Sequence, residues 1–352
     1  MLLAEFRREF GVRVTAFLWR QWAQLGVSGT GGREDTWAQD PEALLAATME
    51  LTRGEPRLFD EVADWLALNE PRLSLQRFRN VLADDAGGSG TIAAGVCSAL
   101  AREEPGFSWS LRAKSARKVT AEKLFDGPSA SGEGVRDEAF LEVGLVRGRF
   151  RRSQKSREPV LTNPVGFAFR LRELLGVTVR AEAVRVLLLH PDRELGTGQV
   201  ASYCLYAKRN VAQALASLAA AGVVTHRSWG RADRWAIDRA RWWSFLGVSA
   251  REAPQWVDWP SLLRGLVALT RWLRDRDWEL LSPYLQGSEA RAVAGKVGAE
   301  LSAALPGWEP PDNRRYAGEV YLEAFTDSVG LALRFLAGDA GAERGRPAKV
   351  QP

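Results

Sequence analysis

The chain has 352 residues and a formal net charge of +5, with 46% hydrophobic, 26% charged and 9% aromatic residues. That balance excludes a disordered or low-complexity protein and predicts two or three globular domains, each burying its own core. There is no uncharged apolar run of about eighteen residues, and the opening segment MLLAEFRREFGVRVT is charged throughout, so neither a membrane span nor a secretory signal is expected. Two distant cysteines, Cys97 and Cys204, build no disulfide framework, and two histidines add little toward a metal site. The expectation is a reduced, cytoplasmic protein with no cofactor and no metal.

Positive charge gathers in the middle of the chain. Residues 107–157 hold twelve basic against six acidic residues, residues 178–247 ten against five, and residues 248–338 ten against twelve. A basic middle fits an anionic partner, with nucleic acid foremost.

In chain order the first stretch, 1–83, reads as an N-terminal helical domain. Phe17, Leu18, Trp22 and Leu25 recur at helical spacing. Asp40-Pro41 supplies a cap and a first-turn proline for a helix carrying Leu44, Leu45, Thr48 and Leu51. Leu58–Leu68 repeats the pattern, and Ser74–Leu82 is expected to display Gln76, Arg77, Arg79 and Asn80, in the manner of a diverged helix-turn-helix or of a plain packing helix. Residues 84–163 read as a loop-rich basic connecting region, with short helices expected at Ile92–Glu103 and Lys114–Leu124. Its closing run, Arg147–Arg157, reads either as a DNA-backbone arm or as a solvated linker.

Residues 164–247 carry a sharper pattern. An amphipathic helix, Pro164–Leu175, stops at Gly176, and a buried helix, Val179–His190, follows. Thr197 is placed to cap a short helix, Gly198–Tyr203, and a tight connection through Cys204 and Leu205 leads into a longer helix, Tyr206–Ala221, stopped by Gly222. Val223–Trp229 and Arg234–Asp238 form a hairpin about the turn Gly230-Arg231-Ala232. In the long helix Val211, Ala214, Leu215 and Leu218 share the buried face, while Arg209 and Gln213 stand one turn apart on the opposite side, with Lys208 and Asn210 at its flanks. Arg and Gln have the donor geometry to read guanine and adenine edges, whereas Lys208 and Asn210 suit phosphates. Arg227, Arg231 and Arg234 place three guanidinium groups on or beside the hairpin. Trp229 and Trp235 are read as hairpin packing.

On these residues, notably Thr197, Val200, Ala201, the YAKRNVAQAL segment, Leu218 and the AAGVV exit, residues 178–238 resemble the winged helix-turn-helix of bacterial transcriptional regulators. The resemblance covers about a sixth of the chain. It implies a winged-helix fold and binding to double-stranded DNA, with Lys208, Arg209, Asn210 and Gln213 as recognition-helix residues. The expected assembly is a homodimer. The alternative is a protein-interaction or antitoxin-like module in which the winged helix itself docks a protein partner; the N- and C-terminal helical regions are a further candidate surface for a protein partner.

Residues 248–338 read as a C-terminal helical domain, with helices at Ser261–Trp278, Ser288–Leu305 and Asn313–Leu336, and 339–352 as a disordered polar tail. The fourteen tryptophans are expected to pack helical layers, with an effector pocket as the other reading. No catalytic constellation is legible: the glycine run at 87–95 lacks the lysine of a phosphate loop, Ser115–Lys118 matches SxxK without its companion motifs, and His190 and His226 have no nucleophile beside them. The expected fold class is mainly α, multi-helical, with a central winged helix-turn-helix, and the expected activity is binding rather than turnover.

Overall fold

The computed structural model describes residues 3–29, 32–83, 88–112, 121–126, 135–230, 232–305 and 307–338. Among them the chain is mainly helical. In order the elements are α1 (Leu3–Gln24), α2 (Pro41–Leu51), α3 (Pro56–Asn69), α4 (Leu75–Ala83), α5 (Ser89–Glu103), β1 (Glu122–Lys123), α6 (Glu138–Leu141), β2 (Leu145–Val146), α7 (Phe167–Leu175), α8 (Val179–Leu189), α9 (Thr197–Cys204), α10 (Lys208–Ala220), β3 (Thr225–Trp229), β4 (Ala232–Ala236), α11 (Arg239–Leu246), α12 (Trp259–Arg274), α13 (Pro283–Ala304) and α14 (Val320–Ala337). No described helix is long and apolar enough to cross a membrane. The chain divides into two compact units, one of residues 20–260 and one joining 1–19 to 261–352.

The unit of 1–19 and 261–352 is held by apolar stripes. Leu266, Leu269, Val293, Val297, Leu301, Phe325, Val329 and Leu333 are all buried, and so are Phe6, Phe10 and Val14 of α1. Trp272 meets Trp278 at 4.8 Å and Phe325 at 5.7 Å, both edge-on, as ring quadrupoles favour. Here tryptophan does serve helix packing.

The unit of 20–260 is organised around α2, every residue of which is buried. Its start follows the expected chemistry: the Asp40 carboxylate accepts the Ala43 N–H at 3.0 Å, and Pro41 occupies the first turn. Trp22, itself part of this unit, donates to Thr48 Oγ1 at 2.9 Å and meets the Trp65 ring at 4.9 Å. Gly26 lies at φ 97°, where the chain leaves α1, and its carbonyl accepts the Arg157 N–H at 2.8 Å.

Three expectations for the first half are corrected. The Lys114–Leu124 helix is absent where the chain is described: Glu122–Lys123 is a strand paired in parallel with Leu145–Val146, while residues 113–120 lie outside the described residues. Arg53 fixes that extended strand by donating to the Glu122 carboxylate at 2.7 Å and to the Lys123 carbonyl at 2.8 Å. The run Arg147–Arg157 is loop, but it is not free along its length: Arg149, Arg151, Lys155 and Arg157 are exposed, while Arg147 and Arg152 are tied to the core. Arg147 grips both oxygens of Asp60 at 2.6 and 2.9 Å, and Arg152 pairs with Asp64 and Glu104. Burial alone would raise the Asp64 pKa, but bonds from Arg152, the Gln154 N–H and Ser156 outweigh it and hold the carboxyl low. Finally, Ser74–Leu82 does not display Arg77, which is wholly buried. The expected tail, 339–352, lies outside the described residues.

Candidate nucleic-acid interface

Two short helices, a left-handed turn, a longer helix and a hairpin follow one another from Val179 to Ala236. Gly196, not Thr197, is the N-cap of α9, and its N–H donates to Gln199 Oε1 at 2.9 Å. Thr197 instead accepts the Trp235 indole N–H at 2.9 Å, tying α9 to the hairpin. Leu205 turns the chain at φ 56° between α9 and α10, a conformation costly for a branched side chain and held by its surroundings. Val211, Ala214, Leu215 and Leu218 are the buried face of α10, as their spacing requires, and Gly222 follows the helix at φ 70°.

The hairpin pairs Thr225 with Ala236, His226 with Trp235 and Arg227 with Arg234. Leu195 adds a bridge to Trp235, each N–H donating to the other's carbonyl at 3.0 and 2.9 Å, a contact no sequence pattern announced. Trp235 is buried, and the His226 ring stacks on it at 4.1 Å while bonding Asp233 at 2.9 Å.

Of the residues singled out from sequence, Lys208, Arg209, Asn210 and Gln213 are exposed together on α10. Arg227 and Arg234 are exposed on the hairpin; Arg227 pairs with Glu194 at 2.8 Å. Arg231 lies outside the described residues. Helix α10 carries no carboxylate, and Ala212, Ala216 and Ser217 keep its outer surface low. Such a face can lie against an anionic polymer without a repelling charge. His190 ends α8 by donating its N–H to the Val186 carbonyl, and its ring accepts the Asp192 N–H at 3.1 Å. Burial pushes its pKa below the ordinary histidine value.

Beneath this face lies a buried ion lattice that the sequence reading missed. It comprises Asp40 and Glu42 of the α2 start, Arg77 of α4, Arg172 of α7, and Glu182 and Arg185 of α8. Arg77 bonds Asp40 and, at 2.8 Å, Glu42; Arg172 bonds Glu42 at 2.8 Å and Glu182 at 2.7 Å; Arg185 bonds Glu182 at 2.9 Å. Three cations meet three anions, so the lattice is neutral. Desolvation would drive Asp40 and Glu182 toward protonation, but the arginines outweigh it and hold both carboxyls below their usual range. The available signal was a charged residue set inside each apolar stripe: Arg77 before Phe78, Arg172 after Leu171, Glu182 and Arg185 within a helix of Ala, Val and Leu.

The lattice seats α4 against the turn that opens α10. Arg77 Nε donates to the Cys204 carbonyl at 3.0 Å, Asn80 Nδ2 to the Leu205 carbonyl at 2.7 Å, and the Ser74 and Tyr206 hydroxyls bond at 2.7 Å. Comparisons with protein-family models, with curated proteins and with solved structures returned no match.

Proposed function

We propose that residues 178–238 form a winged helix-turn-helix through which the protein binds double-stranded DNA, with Arg209 and Gln213 reading base edges and Lys208, Asn210 and the hairpin arginines holding the backbone. The observation that carries this reading is the joint exposure of Lys208, Arg209, Asn210 and Gln213 on a helix that has no acidic residue. An α-helix of about 10–12 Å diameter enters a major groove about 12 Å wide, and small outer residues on α10 favour that entry. The hairpin that follows α10 in the chain, bearing Arg227 and Arg234, supplies further phosphate contacts.

The test is fluorescence anisotropy with a duplex from the gene's own upstream region and a scrambled duplex, at two salt concentrations. Arg209→Ala is expected to cost about 1–3 kcal/mol on the preferred duplex, roughly fivefold to 150-fold in Kd, and to narrow its margin over the scrambled one. Lys208→Ala is expected to weaken both duplexes alike and to reduce the salt slope by about one. Absence of duplex binding at either salt overturns the reading and leaves a protein partner as the occupant of this face.

A further inference from the structure

Helix α4 stands beside the opening turn of α10, and between them runs a cleft of about 380 Å³. Gln76, Asn80 and Ala83 line it from α4, and Ala207 and Asn210 line it from the α10 side. Among the described residues its walls are amides, a hydroxyl and apolar groups, and none of these lining residues is acidic or formally charged. The amides are held in place, since Gln76 Nε2 donates to Asn80 Oδ1 at 3.0 Å and Asn80 donates in turn to the Leu205 carbonyl. This arrangement rests on the ion lattice through Arg77, so α4 keeps a fixed position against α10.

We infer that the exposed edge of α4, with the cleft beside it, is a second DNA contact: a clamp for the phosphodiester backbone that rims the groove entered by α10. The inference rests on the DNA reading above and adds residues outside the segment that resembles a winged helix. A helix of about 10–12 Å fills a groove of about 12 Å, so whatever flanks that helix on the protein side meets the phosphate rim. The element flanking the first turn of α10 is α4. Neutral amides such as Gln76 and Asn210 are ordinary phosphate donors that fix register without reading sequence. Lys208 and Arg209 fall between the lining residues Ala207 and Asn210 in the chain, and their charge raises the positive potential of this turn of α10.

The edge can be tested at Ala83, which is exposed and has only a methyl group to replace. Ala83→Lys is expected to tighten duplex binding about threefold to tenfold on specific and scrambled DNA alike and to steepen the salt slope by about one. Ala83→Glu is expected to weaken both by a similar factor, and Gln76→Ala to weaken them by less. Circular dichroism and the unfolding midpoint of each variant check that the fold is retained. Opposite charges at Ala83 that each leave Kd within twofold, while Arg209→Ala still removes the preference for the native duplex, overturn the clamp and leave the DNA reading standing. A native chain that binds no duplex overturns both.

Discussion

Arg77→Met is expected to destabilise the unit of 20–260 by about 3–5 kcal/mol, read as faster hydrogen exchange in α2 and α8 and a lower urea midpoint. The wild-type guanidinium bonds Asp40, Glu42 and the Cys204 carbonyl with none of its side chain exposed. Met fills much of the volume but leaves three buried anions against two cations. The cost is therefore the stranded charge rather than lost packing. For that reason Arg77→Met combined with Asp40→Asn is expected to recover part of the loss, because Asn still caps α2 while removing one unpaired charge.

The same lattice sets an acid limit. Asp40 and Glu182 have folded pKa values below their usual 3.8 and 4.5. A depressed carboxylate contributes stability that is complete above its unfolded pKa and is lost as pH falls through the folded value. Stability is thus expected to hold level above about pH 5 and to fall below about pH 4. Glu182→Gln is expected to be less stable at neutral pH and to show a flatter decline in acid, measured as urea midpoint against pH. A variant curve as steep as the native one would assign the acid loss to other groups.

Arg147→Ala is expected to be nearly as damaging, at about 3–5 kcal/mol, but for a different reason. Its partner Asp60 keeps 31% of its side chain exposed and can be rehydrated, so the stranded charge counts for less. The larger loss is the guanidinium itself, which lies 5.1–5.7 Å from the rings of Phe59, Phe125, Phe140 and Phe150. Its removal leaves a hole among four aromatic groups and releases β1 and β2 from α3. Arg147→Lys is expected to restore less than half of the loss, because an ammonium neither bonds Asp60 through two parallel N–H groups nor stacks flat. Limited proteolysis across 121–150 reads the effect. Cleavage unchanged in both variants would assign the hold on this segment to Arg152 and its carboxylates.

Local chemistry was the legible part of this chain. Asp40-Pro41, Gly176, Gly222 and the apolar spacing of Val211, Leu215 and Leu218 act within a few residues, so pattern and structure agree there. Long-range polar packing was not legible. Arg77 reaches Asp40 across 37 positions and Arg172 reaches Glu42 across 130. A single sequence assigns such arginines to solvent because solvent is where most arginines go. Within the run Arg147–Arg157 the same limit applies to Arg147 and Arg152: the carboxylates that absorb them sit on α3 and just beyond α5. For α10 the exposure of Lys208, Arg209, Asn210 and Gln213 followed from helical periodicity alone. The neighbour that shapes one side of that surface, α4, did not, because its place depends on the buried arginine at its centre.

Cys97 and Cys204, the chain's two cysteines, are both buried, and burial pushes the Cys97 thiol up to about 12 and Cys204 higher still. Alkylating and fluorescent reagents attack the thiolate, so at neutral pH the native fold offers them almost nothing. The protein is in effect its own cysteine-free background. A cysteine introduced at Ala83 on α4 or at Gln213 on α10 would be the one reactive thiol in the molecule, and a dye placed there would report the surroundings of either helix without first removing a native residue.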